Sequence, residues 1–253
     1  NANDEMMEIS QRVSPSLTES SNYIYLNEKL FNRVKAVYDQ RASLNLNTED
    51  AKLLEETFRS FQEKGANLNS ADKEKYKELT KELSLLTLQF DQNSLKDQNR
   101  FEMLLTDQKE VAGLPESALD AAKFAAKEKG KEGWLFTLDA PSYGAFVKYA
   151  DSRDLREKMY KAFMSVGNKG DEYDNQEIIR KIVNDRLAIA KLMGYPNYAA
   201  FELSHKMAKN SENVYKLLNQ LLDAYKPVAI NEYNAVQGFA IGKEQQNIVV
   251  QPW

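Results

Sequence analysis

The 253-residue chain carries 34 basic and 38 acidic side chains, a formal net charge of −4, and 42% hydrophobic residues, enough apolar content for one sizeable core or two smaller ones. So even a balance offers no field of one sign to attract nucleic acid or a membrane surface, and neither is expected as a partner. With no cysteine in the sequence, disulfides, thiolate zinc sites and cysteine nucleophiles are excluded, while the compartment, cytoplasmic or periplasmic, stays open.

The opening stretch, "NANDEMMEISQRVSP", has no initiator methionine and no charged-then-apolar leader, and reads as the middle of a longer sequence. Apolar runs such as "LSLLTLQF" are too short to span a bilayer. The first helix is expected in "YLNEKLFNRVKAVYDQR", with Leu26, Leu30, Val34 and Val37 as its stripe. A second follows in "TEDAKLLEETFRSFQEKG", with Leu54, Phe58 and Phe61 on one face and Gly65 as its stop. In "ADKEKYKELTKELSLLTLQFDQN", Tyr76, Leu79, Leu83, Leu86 and Phe90 form the seam of a long helix that Ser70 would cap. These last two helices are expected to pair as an antiparallel hairpin.

The pattern then changes. "RFEMLL" and "WLFTL" are short and rich in aromatic and branched residues, and in the second Trp134, Phe136 and Leu138 alternate with Leu135 and Thr137. Between these two predicted strands, "GLPESALDAAKFAAKEKG" reads as a helix, with Pro115 in its first turn and Gly130 at its exit. Helices resume at "PSYGAFVKYA", "SRDLREKMYKAFMSVG" and "DNQEIIRKIVNDRLAIAKLMG". The last starts at a capping-box-like Asp174 and Glu177 and stops at Gly194 before Pro196. "NYAAFELSHKMA" is a helix capped by Asn197, and a long run from Ser211 should be kinked or divided by Pro227. The expected fold is therefore mainly α, a multi-helical bundle with long antiparallel hairpins and a small two-stranded β insertion. Three stretches are expected: 1–99, a long-helix hairpin region; 100–140, the strand-helix-strand insertion; and 141–253, a further helical region.

Candidate chemistry is sparse. "GFAIGKE", residues 238–244, is one residue short of a phosphate-binding loop between its glycines and has Glu244 where a hydroxyl belongs, so it reads as a helix end at Gly242. Asp171, Glu172 and Asp174 suggest a calcium loop, but Gln176 and Ile182 stand where an EF-hand needs glycine and a bidentate glutamate. The lone histidine, His205, cannot assemble an ordinary zinc site without other histidines or cysteines, and it reads as a surface residue of a helix paired with Glu202. Arg153, Arg156, Asp154 and Glu157 could clamp a substrate carboxylate, with helix-surface salt bridges as the commoner outcome. Met159, Tyr160 and Phe163 look like core. Read from spacing alone, no catalytic or metal-binding set emerges, and no substrate-binding residue can be named.

Several stretches taken together resemble the thimet oligopeptidase-like zinc metallopeptidases, in particular their bacterial peptidyl-dipeptidase and oligopeptidase branch. The resemblance runs through "IYLNEKLFNRVKAVYD", "LTLQFDQNSLKDQN" and "WLFTLDAPSYGAFVKYADSRDLREKMYKAF", and is strongest in "DNQEIIRKIVNDRLAIAKLMGYPNYAAFELSHKMAKNSENVYKLL". It implies a longer parent enzyme with an H-E-x-x-H helix, a further glutamate and one zinc, none of which has a matching position here. By the resemblance, "QPW" lies where family members continue into the catalytic half. These residues would form one wall of a channel for short peptides, inactive by themselves, with the missing half as partner. Helix faces left bare would favour self-association, and tyrosines, 13 in the chain, are candidate peptide contacts. The alternative is a stand-alone helical module that binds a peptide or protein.

Overall fold

The computed structural model describes residues 3–244 and 248–253. In chain order its elements are α1 (Asp4–Tyr25), α2 (Glu28–Asp39), α3 (Thr48–Glu63), α4 (Ser70–Asn99), β1 (Met103–Leu105), α5 (Glu116–Glu128), β2 (Trp134–Phe136), α6 (Ala140–Tyr149), α7 (Arg153–Met164), α8 (Gln176–Leu192), α9 (Tyr198–Leu203) and α10 (Ser211–Glu244). The mainly helical fold with a two-stranded antiparallel insertion is the expected one. Among the described residues no helix is long and apolar enough to cross a membrane. Two compact units divide the chain: residues 1–90 with 177–214, and 91–176 with 215–253. Each draws on two separated stretches of the chain.

In the first unit, α1 forms where no element was predicted. Asn3 accepts the amide of Met6 at 2.9 Å and Asp4 and Glu5 occupy the first turn, yet Pro15 lies inside the helix. A proline there has no amide to donate, so the local signal is weak, and tertiary contacts compensate. Met7, Asn22 and Leu26 are buried, and Asn22 donates to the Thr80 hydroxyl of α4 at 3.0 Å.

The stripe expected on α2 is half met: Leu26, just before the helix, is buried and Val34 packs inward. Phe31 is buried with Val34 packed beside it, while Leu30 and Val37 are exposed. Asn27 starts the helix by accepting the Leu30 amide at 3.0 Å, and α3 on the other side decides which face turns in. Phe31, Phe58, Phe61 and Ala66 make one cluster, in which Tyr25 and Phe61 approach to 5.1 Å between ring centroids. The apolar face of α3 therefore goes to α2, not to α4 as predicted. The turn at Gly65 is as expected: its φ of +85° suits glycine, and a Cβ there would stand 2.9 Å from Leu68.

Asn69, not Ser70, caps α4, accepting the Asp72 amide at 2.9 Å. The α4 seam is the predicted one. Its Tyr76, Leu79 and Leu83 pack on Leu26, Ile189 and Leu192, and Leu86 and Phe90 pack on Ile178 and Ile182 of α8. Gly194 ends the α8 stretch at φ +84°, also as predicted.

The second unit is built on the insertion. Met103 pairs with Phe136 and Leu105 with Trp134 across the antiparallel ribbon. Leu135 and Phe136 are both buried, so the alternation in "WLFTL" does not separate a wet face from a dry one. Met103, Leu105, Phe136, Leu138, Phe146 and Met159 lie in one core that α5, α6 and α7 enclose. Pro115 is the residue just before α5 rather than within its first turn, and Gly130 follows the helix at φ +65°. α10 runs for 34 residues without a break at Pro227; of the predicted kink or division, the division does not occur, because water can take the carbonyl left unpaired on that exposed turn. The end of the chain returns to α10: Gln237 accepts the Val250 amide at 2.8 Å, and Arg153 of α7 donates to the Val249 carbonyl at 2.6 Å.

Candidate functional site

His205 is not on a helix. Asn197 caps α9 by accepting the Ala200 amide at 2.8 Å, but the helix ends at Leu203, where the Ser204 hydroxyl donates to the Phe201 carbonyl at 2.7 Å. The chain then turns, with Lys209 at φ +67°, and His205 is placed beside α3. Its Nε2 lies 3.4 Å from Glu63 Oε1, whereas the predicted partner, Glu202, stands 4.0 Å from Lys206. Around the pair is an open cleft of about 410 Å³, walled by Gln62, Leu68, Met193, Tyr195 and Phe201. An imidazole and a carboxylate in a part-apolar cleft can hold one polar group. They have no nucleophile between them and no third ligand.

The arginines of α7 are bound to backbone, not poised for a ligand. Arg153 is held by Val249, and Arg156 donates to the carbonyls of Ala150 and Asp151 at the end of α6, where carbonyls without helical partners favour a cation. Glu157 pairs with Lys161 at 2.5 Å. Met159 is core as expected, while Tyr160 lies 5.4 Å from Trp253 and Phe163 stacks on Tyr143 at 4.2 Å.

Of the 171–174 carboxylates, Asp171 and Asp174 are likewise engaged, and Glu172 is exposed. Asp171 takes Arg100 and the Tyr173 amide; Arg100 first and that amide second hold its carboxyl below the usual range. Asp174 accepts the amides of Gln176 at 2.9 Å and Gly170 at 2.7 Å, which lower its pKa in that order. α8 begins at Gln176, so Asp174 lies two residues before the helix and takes that residue's amide, while Glu177 pairs with Arg180; the expected capping box of Asp174 and Glu177 does not form. Glycines 238 and 242 lie inside α10, which continues through Glu244 instead of ending at Gly242.

The most elaborate polar cluster in the second unit was not legible in the sequence. Asp97, fully buried near the end of α4, accepts the Gly167 amide at 2.7 Å, Lys169 at 2.8 Å and Arg100 at 2.6 Å. Burial alone would raise its pKa; the Lys169 and Gly167 hydrogen bonds, with Arg100, hold it below the ordinary value. Asn175, also buried, donates to Ser94 at 3.0 Å and accepts from Asn93 at 3.1 Å. These contacts join residues about seventy to eighty positions apart, so only the pair Asp97 and Arg100, three apart on a helix, could have been suspected. The cluster is saturated, which suits a staple and not a reaction centre.

Tyrosines divide between the two environments. Burial, with Tyr198 nearby, pushes the Tyr76 hydroxyl up to about 12, whereas Tyr215 and Tyr225 of α10 are exposed.

Residues 146–253 match the sequence model of Peptidase family M3. The whole chain is also 34% identical over 256 residues to an oligopeptidase A of Salmonella typhimurium, covering 98% of this chain and 37% of that protein. To a dipeptidyl carboxypeptidase of Escherichia coli it is 34% identical over 252 residues, covering 99% and 37%. Similarity to these named peptidases runs along nearly the whole chain, and similarity to Peptidase family M3 over residues 146–253. With the yeast saccharolysin of Saccharomyces cerevisiae the identity is 27% over 237 residues, 92% of this chain and 32% of that one. The chain thus spans about a third of the length of these relatives.

M3 peptidases are generally metallopeptidases, and the described residues of this chain do not fit a catalytic metal. Among the described residues no three His, Cys, Asp or Glu side chains gather closely enough to hold an ion. The one imidazole has Glu63 as its neighbour, and no step of peptide hydrolysis can be derived from these side chains.

Proposed function

We propose that residues 1–253 are a non-catalytic helical region of a zinc-dependent M3 peptidase that hydrolyses short peptides, and that they form one wall of the channel admitting those peptides. The observation that carries this reading is the extent of the match: 98–99% of the chain aligns with relatives named for oligopeptidase and dipeptidyl carboxypeptidase activity, yet it spans 37% of each. The engagement of Arg153, Arg156, Asp171 and Asp174 in structural contacts supports the non-catalytic part of the reading.

The test is hydrolysis of short peptides by the purified chain with added zinc, followed by mass spectrometry. No chelator-sensitive cleavage is expected from it; cleavage that a chelator abolishes would overturn the proposal. Reading the open frame past Trp253 for H-E-x-x-H and a later glutamate gives a second check. A stop codon there would instead favour a stand-alone helical module binding a peptide or protein, a reading that the exposed face of α10 supports.

A further inference from the structure

We infer that the cleft beside His205, bordered by the ends of α3 and α8, binds a small organic amine in its protonated form, with the Glu63 carboxylate as counter-ion. The inference stands whether or not the peptidase reading holds. Both helices end in the same way. After α3 the Ala66 amide reaches back to the Phe61 carbonyl at 3.0 Å and the Gly65 amide to Gln62 at 3.0 Å; after α8 the Tyr195 amide reaches Ala190 at 2.9 Å and the Gly194 amide Lys191 at 3.0 Å. This closure around a glycine of positive φ satisfies two carbonyls of each last turn. It leaves the next two without an amide, those of Glu63 and Lys64 on α3 and of Leu192 and Met193 on α8. Glu63, Leu192 and Met193 all border the cleft.

Three features favour a cation there. The negative ends of two helices, of 16 and 17 residues, lie at the cleft. Glu63 adds a carboxylate, and no lysine or arginine is among the lining residues. The nearby cations are committed elsewhere: Lys64 lies over the Tyr25 ring at 3.6 Å, Lys206 stands 4.0 Å from Glu202, and Arg59, 3.6 Å from Glu63 Oε1, is bound to Glu56 through another nitrogen. Tyr195 and Phe201, edge to face at 5.3 Å, also line the cleft and attract an ammonium through their ring electrons.

The rest of the cleft suits the body of such a ligand. Its volume of about 410 Å³ is near the lower end of the range for small-molecule pockets, and Leu68, Leu192, Met193 and Phe201 give it apolar wall area. Gln62 and Asn67 add side-chain carbonyls to which an ammonium can donate. A bare divalent cation fits less well, because Glu63 is the one carboxylate among the lining residues and such an ion takes six or more oxygens. A neutral ligand would leave the carboxylate unused, and an anion would be repelled by it. His205 Nε2, 3.4 Å from Glu63 Oε1, is the group an incoming ammonium would meet at that oxygen.

His205 is the only histidine in the chain, so its imidazole C–H resonances in a proton NMR spectrum report on this cleft alone. Phenethylammonium chloride added to the 253-residue chain at about pH 8, where ordinary imidazoles are neutral, should shift them saturably. A dissociation constant on the order of millimolar is expected for a ligand of this size. Phenethyl alcohol, with the same body and no charge, should bind about fivefold more weakly or worse, and phenylpropionate should give no saturable shift. Glu63→Gln should weaken phenethylammonium about fivefold or more. Asn67→Lys, which tethers an ammonium at an exposed lining position, should do the same. Glu177→Gln, the same change of charge at the far end of α8, should leave the affinity unchanged. Circular dichroism of the three variants controls for folding. No saturable shift up to tens of millimolar, equal binding of the alcohol, or equal affinities of the Glu63→Gln and Glu177→Gln chains would each overturn the inference.

Discussion

The two units of this chain reach stability by different routes. The second is organised around one continuous core, in which Phe136, Phe146, Leu138 and Met159 are at most 1% exposed. The first has three small clusters, each with three buried residues that keep 5–9% exposure. Their carboxylates differ in the same sense. Asp97, in the second unit, is satisfied by an amide and two cations, while in the first Asp185 Oδ2 and the neighbouring Arg186 Nε are buried without a hydrogen-bond partner. A ribbon with helices packed around it encloses side chains from all sides. Helices paired along seams leave flanks that another surface can cover.

That contrast can be broken experimentally, and the largest effect is expected at Phe146. It is fully buried and meets Phe136 edge-on at 4.7 Å, so Phe146→Ala should cost about 4–5 kcal/mol. Hydrogen exchange should show the loss across α5 to α7; loss confined to α2 and α3 would contradict the single-core description.

Asp97→Asn should follow at about 3 kcal/mol, since it leaves Lys169 and Arg100 facing a neutral group. The pH dependence has a definite sign. A carboxylate held below its unfolded pKa of about 3.9 adds stability above that value and loses it as pH falls through the folded value. The urea midpoint of the parent chain should therefore drop in acid more steeply than that of Asp97→Asn. Parallel curves would show that the network does not couple to folding.

Phe61→Ala should cost somewhat less, about 2–3 kcal/mol, because its cluster is small and bordered by half-exposed rings that can close over the gap. Its effect on amide exchange should stay within α1 to α3. The smallest effect is expected at Asp185, whose pKa burial raises first and the negative charge of Glu82 second, with Lys181 opposing. A raised carboxyl favours folding below its unfolded pKa and disfavours it above the folded one. Asp185→Asn should thus raise the melting temperature slightly at neutral pH, with the gain fading in acid; a drop at neutral pH would mean the charge has a partner.

Much of this molecule was readable residue by residue. The seam of α4, the strand-helix-strand insertion and the exits at Gly65, Gly130 and Gly194 all depend on near neighbours, and periodicity and turn chemistry report those directly. α1 was not readable because Pro15 suppresses the local signal, and α9 was drawn too long because nothing in "SHKMA" announces the turn after Leu203. No rule of spacing could bring Glu63 to His205, or Gly167 and Lys169 to Asp97, since those pairs are set by which helices pack together.

The sequence by itself determined where most helices run, that the fold is mainly α, and that the chain carries no H-E-x-x-H motif. Only the tertiary structure decided that α3 gives its aromatic face to α2 and that Asp97 is buried and saturated. The reason is physical: helix propensity and capping act over a few residues, whereas burial depends on which surfaces, far apart in sequence, exclude water from one another.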